Sequence, residues 1–166
     1  MKKTVIKEPL PLIVAGPILR KATAKELTLW LVTTRQLDAD FCVFLGKDEQ
    51  PFYEAKFDLA HQIQIGKHAW VVLAHFNGDF PQDMPLEYQV TTSEGLLTDL
   101  VPDLLYGDES RLSVMIQQRA DYVLHGSCRN PHYPSKDSLV AADHKVSTLA
   151  LSERPSLLMM SGDQIY

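Results

Sequence analysis

The chain has 166 residues, enough for a sizeable core, and a formal net charge of −5. Its acidic balance and scattered lysines exclude the basic stripe of a nucleic-acid binder, and no apolar run is long enough to cross a bilayer as a helix. Two cysteines are too few for a disulfide scaffold, and no bond between Cys42 and Cys128 is expected. Met1, Lys2 and Lys3 ahead of P-L-P-L-I-V-A-G imitate a secretory leader with Ala22-Thr23-Ala24 as its cleavage site. Glu8, three prolines and the Arg20-Lys21 pair interrupt that pattern, so an ordinary strand over 12–19 and a cytoplasmic location are expected.

β-forming runs follow at 27–34 (L-T-L-W-L-V-T-T) and 41–45 (F-C-V-F-L), then alternating stretches at 52–57 and 61–65 and an apolar strand at 69–76. Gly46-Lys47-Asp48, Gly66-Lys67 and Asn77-Gly78-Asp79 punctuate them as turns, and strands over 86–92 and 111–117 complete the set. The spacing predicts an antiparallel sandwich of immunoglobulin or fibronectin type over residues 1–120. The segment 96–109, with Pro102 and Gly107, reads as an irregular connection with one helical turn. Cys42, Trp30 and Trp70 are expected in the sandwich core. His61, His68 and His75 show no metal-ligand spacing on one strand, because turn signals separate them.

The pattern changes near 117–121. Tyr122, Val123 and Leu124 form a short apolar run, and Leu157 to Met160 form another of the kind a strand buried on both faces shows. Between them Leu139, Ala142, Val146 and Leu149 recur at helical spacing behind a cap at Ser135 or Asp137, and Glu153, Arg154 and Pro155 close the helix. Strand, crossover helix and strand make a right-handed unit with parallel strands. Its two strand ends lie at one sheet edge, where open α/β sheets place their ligands. Cys128 follows the first strand, and Gly162, Asp163 and Tyr166 follow the second. Gly162 also suits a plain turn, which leaves Asp163 open to a purely structural role.

These residues carry a resemblance. G-S-C-R-N-P-H from Gly126, R-P ahead of an apolar strand and S-G-D-Q-I-Y at 161–166 resemble the opening of the PhoD-like metallophosphatases, also called the alkaline phosphatase D family. G-P-I-L-R and L-T-L-W-L-V resemble the β-sandwich that this family carries ahead of its catalytic domain. The resemblance implies an N-terminal sandwich followed by the first β-α-β, residues 121–166, of an incomplete α/β metallophosphatase domain. It implies Fe3+ with Ca2+ as the metal pair. Asp163 would bridge the two ions, with Tyr166 and Cys128 on the iron. Thiolate and phenolate suit a trivalent or soft ion, and carboxylate oxygens suit calcium, so the donor set agrees with a mixed site. The wider binuclear superfamily has D-x-H or D-x-G where this chain has G-S-C, a departure that argues against two zinc or two manganese ions.

The implied activity is hydrolysis of phosphomonoesters or phosphodiesters by a metal-activated water. Arg129 is a candidate for neutralising a phosphate oxygen with its fork, against a structural ion pair; His132 is a candidate phosphate contact, against a loop role. Two rival chemistries fail on spacing. A cysteine-phosphatase loop needs arginine where Pro134 stands, and no G-x-x-x-x-G-K occurs. The family's later asparagine and histidine ligands are missing, so a fragment silent in catalysis, awaiting the rest of its phosphatase domain, is expected. The competing expectation is a non-catalytic interaction module. The substrate class implied is a small phosphoester, with no membrane or nucleic acid as partner.

Overall fold

The computed structural model describes residues 9–130, 132, 134 and 137–163. Most of it is antiparallel sheet. One sheet has the order β1-β2-β6-β5, with β1 (Ile13–Thr23), β2 (Glu26–Thr33), β5 (Gln62–Gly66) and β6 (Ala69–Asn77). The other has β4-β3-β7-β8, with β3 (Ala39–Leu45), β4 (Tyr53–Lys56), β7 (Pro85–Thr92) and the two-residue β8 (Gly95–Leu96), and β9 (Leu112–Met115) on the remaining part of β7's edge.

Period-two alternation decides what each strand buries. Leu27, Leu29 and Leu31 of β2 and Val72, Ala74 and Phe76 of β6 point into one core with Phe41 and Val43 of β3 and Leu86, Tyr88 and Val90 of β7. Phe41 and Phe76 stack at 4.0 Å between ring centroids, and Phe57 meets Phe76 edge-on at 5.3 Å, so the two sheets interlock through aromatics. Gln62 is a buried polar residue that the core tolerates because both ends of its amide are used. Its Nε2 donates to the Leu37 carbonyl and its Oε1 accepts from the Leu37 N–H, each at 2.7 Å.

Three expectations are corrected, the first two by the same alternation. Cys42 lies between Phe41 and Val43, which take the inward positions, so its side chain is on the outer face of β3, half-buried beside Glu54. Burial first, then the Glu54 and Asp40 carboxylates, push its thiol up, which leaves it a poor nucleophile. Trp30 likewise falls between the buried Leu29 and Leu31, on the outer face in register with Ile18 and Leu73. Trp70 pairs with Thr33 and is half-buried rather than enclosed. The 96–109 segment contains one turn of helix, α1 (Leu97–Leu100), and a 3-10 turn (Pro102–Leu104), anchored by the buried Leu97.

Beyond β9 come β10 (Val123–Ser127), helix α2 (Ser138–Ser147) and β11 (Leu157–Ser161), and β10 and β11 pair in parallel. Asp137 caps α2 by accepting from the Leu139 N–H at 3.1 Å; Ser135, the other expected cap, lies outside the described residues. Leu139, Ala142, Val146 and Leu149 are half-buried, and their helix neighbours are exposed, so the apolar face is the expected one. The expectation of a doubly buried β11 does not hold: Leu157, Leu158 and Met159, on alternate faces of the strand, are 47%, 52% and 48% exposed, because two strands and one helix leave both sheet faces partly uncovered.

Candidate metal centre at the ends of the parallel strands

The register of β10 against β11 runs without a slip from Val123 opposite Leu157 to Ser127 opposite Ser161. The two chains therefore leave the sheet in step, Cys128 from one and Gly162 and Asp163 from the other. The pairing continues past the strands, with the Arg129 N–H donating to the Asp163 carbonyl at 3.2 Å.

Cys128 holds φ = +54°, a left-handed conformation that costs a non-glycine residue about 1–3 kcal/mol and marks an over-determined position. Gly162 has φ = +68°. A Cβ built there would sit 2.8 Å from Ser127 Oγ and 3.0 Å from Cys128 Sγ, so only glycine lets the exposed thiol lie against the end of β11. Ser127 Oγ donates to Cys128 Sγ at 3.3 Å, and His125 Nε2 and Ser161 Oγ share a hydrogen bond of 2.8 Å on the same strand pair. A thiol and a carboxylate-bearing residue are thus brought to one edge by backbone geometry. Tyr166 lies outside the described residues.

Arg129 forms an ion pair, the alternative to a phosphate contact in the sequence reading. Its Nε and Nη2 approach the Asp137 carboxylate at 3.2 and 2.5 Å, a forked pair that ties the loop after β10 to the cap of α2. That hydrogen bond, followed by the Leu139 N–H, holds the Asp137 carboxyl below its usual range, and the Arg129 guanidinium is raised in return. His132 is exposed in the same loop, its backbone N–H donating to Asn130 Oδ1 at 3.2 Å. Among the described residues no group of three or more His, Cys, Asp or Glu has the arrangement to hold a metal ion. Cys128 and Asp163 are a pair of donors, chemically matched to a soft or trivalent ion next to a hard one.

A cleft of about 490 Å³ opens at the other end of the same strands, lined by Asp83, Gln118, Asp121, Tyr122, Glu153 and Arg154. It faces the strand starts, away from the carboxyl ends where parallel sheets present ligands. Arg154 there binds Glu109 (2.9 Å) and Ser113 Oγ (3.0 Å), and Tyr106 donates to Asp143 of α2. Burial, then Asp143, push the Tyr106 phenol up to about 12, so it stays a donor. These contacts fasten α2 and β11 to the sandwich.

One pairing escaped the sequence reading. His61 and His75, set aside because turns separate them, come together on the outer face of the first sheet with ring centroids 5.6 Å apart. The turn at Gly66-Lys67 folds β5 back on β6, opposing Gln62 to Val72, and this makes His61 and His75 diagonal neighbours. A hairpin-aware count across that turn, rather than along one strand, is the signal that finds them. Comparison of the chain with protein-family models, with curated proteins and with solved structures yields no match. Among the described residues no helix is long and apolar enough to cross a membrane.

Proposed function

We propose that the chain supplies the sandwich and the first metal-binding strand edge of a PhoD-like, metal-dependent phosphoesterase acting on small phosphomonoesters or phosphodiesters. The observation that supports this reading is the in-register exit of Cys128 and Asp163 from adjacent parallel strands, with Gly162 shaped to admit the thiol. On this reading Cys128 and Asp163, joined by Tyr166, hold ferric iron with calcium beside it. Such ions would polarise a phosphate and lower the pKa of an attacking water. Arg129, kept charged and oriented by Asp137, would share its outer edge with a phosphate oxygen, and His132 would add a titratable donor from the same loop.

The test is metal content. The purified chain, loaded with Fe3+ and Ca2+ and freed of excess, is expected to retain iron with a visible thiolate or phenolate absorption. Cys128→Ser should weaken and shift that band, Asp163→Asn should lower the content of both metals, and Cys42→Ser should leave them as they are. A wild-type chain that retains no iron, or retention unchanged in both Cys128→Ser and Asp163→Asn, would overturn the proposal. The exposed Leu157, Leu158 and Met159, on alternate faces of β11, favour the second reading, a non-catalytic interaction module that docks through the uncovered faces of this strand. Self-association or partner binding without metal retention would support it.

A further inference from the structure

The outer face of the first sheet carries a cluster that the strand-edge site does not use. His75 on β6 faces Glu26 and Thr28 on β2, with its Nδ1 2.9 Å from Glu26 Oε1 and 3.3 Å from Thr28 Oγ1. A carboxylate only accepts, so the proton of the neutral imidazole resides on Nδ1, and Nε2 keeps its lone pair. Glu26 is well placed to hold that tautomer: Lys21 contacts its Oε2, and His75 and Thr28 meet its Oε1, so the carboxylate is fixed from both ends.

The partner ring arrives from the opposite side. His61 closes the 3-10 turn Leu59–His61, and its Nδ1 lies 3.6 Å from Asp58 Oδ2. Its backbone is pinned: the His61 N–H donates to the Asp58 carbonyl at 3.2 Å, and the next residue is Gln62, clamped to Leu37 by two hydrogen bonds. His75 thus has a carboxylate hydrogen-bonded on its Nδ1 side, the arrangement by which metal-ligating histidines are oriented from behind, and His61 has one nearby at ion-pair distance. A metal with Zn–N bonds of about 2.0–2.1 Å and tetrahedral angles sets two ring centroids roughly 5 Å apart, so the pair, now at 5.6 Å, would close slightly on binding.

We propose that His61 and His75 form a two-imidazole site for a borderline divalent transition ion of the zinc, nickel and copper class, with Glu26 as the residue that positions His75. Imidazole suits these ions, and it suits calcium or magnesium poorly. The side chains are 53% and 37% exposed, so water completes the coordination and the ion exchanges freely with solvent. Among the described residues no third His, Cys, Asp or Glu joins the two imidazoles as a ligand group. Bound metal would cross-link the turn ahead of the edge strand β5 to the central strand β6, and thereby favour the folded sheet. This site is independent of the one at Cys128 and Asp163, on a different sheet.

The experiment titrates Zn2+ alone into the full chain, read by calorimetry and by the imidazole Cε1–H resonances, in the wild type and in a Cys128→Ser background that weakens the strand-edge donors. His61→Gln and His75→Gln are each expected to weaken one Zn2+ equivalent more than tenfold and to abolish the metal-induced shift of the remaining ring. His68→Gln should change neither. Glu26→Gln should weaken the same equivalent by about tenfold, the usual cost of losing an orienting carboxylate. The inference is overturned if affinity is the same in His61→Gln, His75→Gln and His68→Gln, or if neither ring shifts at saturating Zn2+. Should His75→Gln disturb the sheet, His61→Gln decides, since His61 lies in an exposed turn.

Discussion

In the sandwich, Leu27, Leu29, Leu31, Phe41 and Val43 are wholly buried, whereas in the parallel pair Leu157, Leu158 and Met159 are each about half exposed. Both regions are built from apolar strands. The difference is that the sandwich strands cover one another across two sheets, while β10 and β11 are joined through α2 and are partly open on both faces. Burial free energy follows area removed from water, about 25 cal/mol per Å², so the sandwich holds most of the stabilisation. The parallel pair holds the candidate chemistry. Stability and site are therefore carried by different parts of the chain.

The strongest challenge to that division is a large-to-small change at the centre of each part. Phe41→Ala, which removes the ring stacked on Phe76, should cost about 3–5 kcal/mol of unfolding free energy, as buried phenylalanines do. Leu158→Ala should stay within about 0.5 kcal/mol, since half of that side chain already meets water. Both tryptophans of the chain, Trp30 and Trp70, lie on sandwich strands, so denaturant unfolding followed by fluorescence reads that region. Equal losses for the two variants would show that the parallel pair is buried in solution and would remove the distinction.

The sequence revealed the strands of the sandwich well because alternation and turn residues are local signals. It revealed the strand-edge pair for a similar reason: a crossover of fixed hand leaves two strand ends no other mutual placement. It failed where the answer depended on which side of a strand a residue takes. Residue type places Trp30 and Cys42 in the core, yet the residues on either side of each claim the inward places. Spacing along the chain gives His61 and His75 no common strand face, and both are exposed as surface residues, but only the β5–β6 register shows that they are neighbours across the hairpin. The burial of β11 was also misjudged, because an apolar run tells what a strand tolerates on its faces and not what covers them. Tyr166, the third donor of the expected site, lies outside the described residues.

The junction between the regions offers a smaller effect. Arg154 is one-sixth exposed or less, and it joins Glu109, Ser113 and the face of Tyr106 to the turn ahead of β11. Arg154→Ala should cost about 1–2 kcal/mol, in the range of a hydrogen bond to a charged group. The loss should fall on one side. Amide hydrogen exchange in α2 and β11 is expected to rise, with the fluorescence midpoint of the sandwich nearly fixed. Parallel loss in both regions would mean that they unfold as a single unit.

The smallest effect, and the one that separates the regions by pH alone, comes from a pair of carboxylates. Glu26 in the sandwich is lowered from 4.5 to about 2 by Lys21, His75 and Thr28, and Asp137 at the cap of α2 is lowered below 3.8 by Arg129 and the Leu139 N–H. A carboxyl whose folded pKa is depressed stabilises the fold above its unfolded pKa, and that contribution disappears as pH falls through the folded value. Both contributions are thus intact near neutrality. The Glu26 term should fade as pH drops from about 4.5 towards 2, and the Asp137 term should begin to fade only below 3.8. Acid titration followed by tryptophan fluorescence for the sandwich, and by amide exchange of Leu139 and Val140 for the helix cap, should resolve two separate onsets. Glu26→Gln should flatten the fluorescence branch and leave the exchange branch in place, and Asp137→Asn should do the reverse. Salt should weaken the sandwich term, because Lys21 is about half exposed, more than it weakens the less exposed Arg129 and Asp137 pair. If either substitution flattened both branches, the carboxylates would be acting on one cooperative unit, and the separation of stability from site would fail with them.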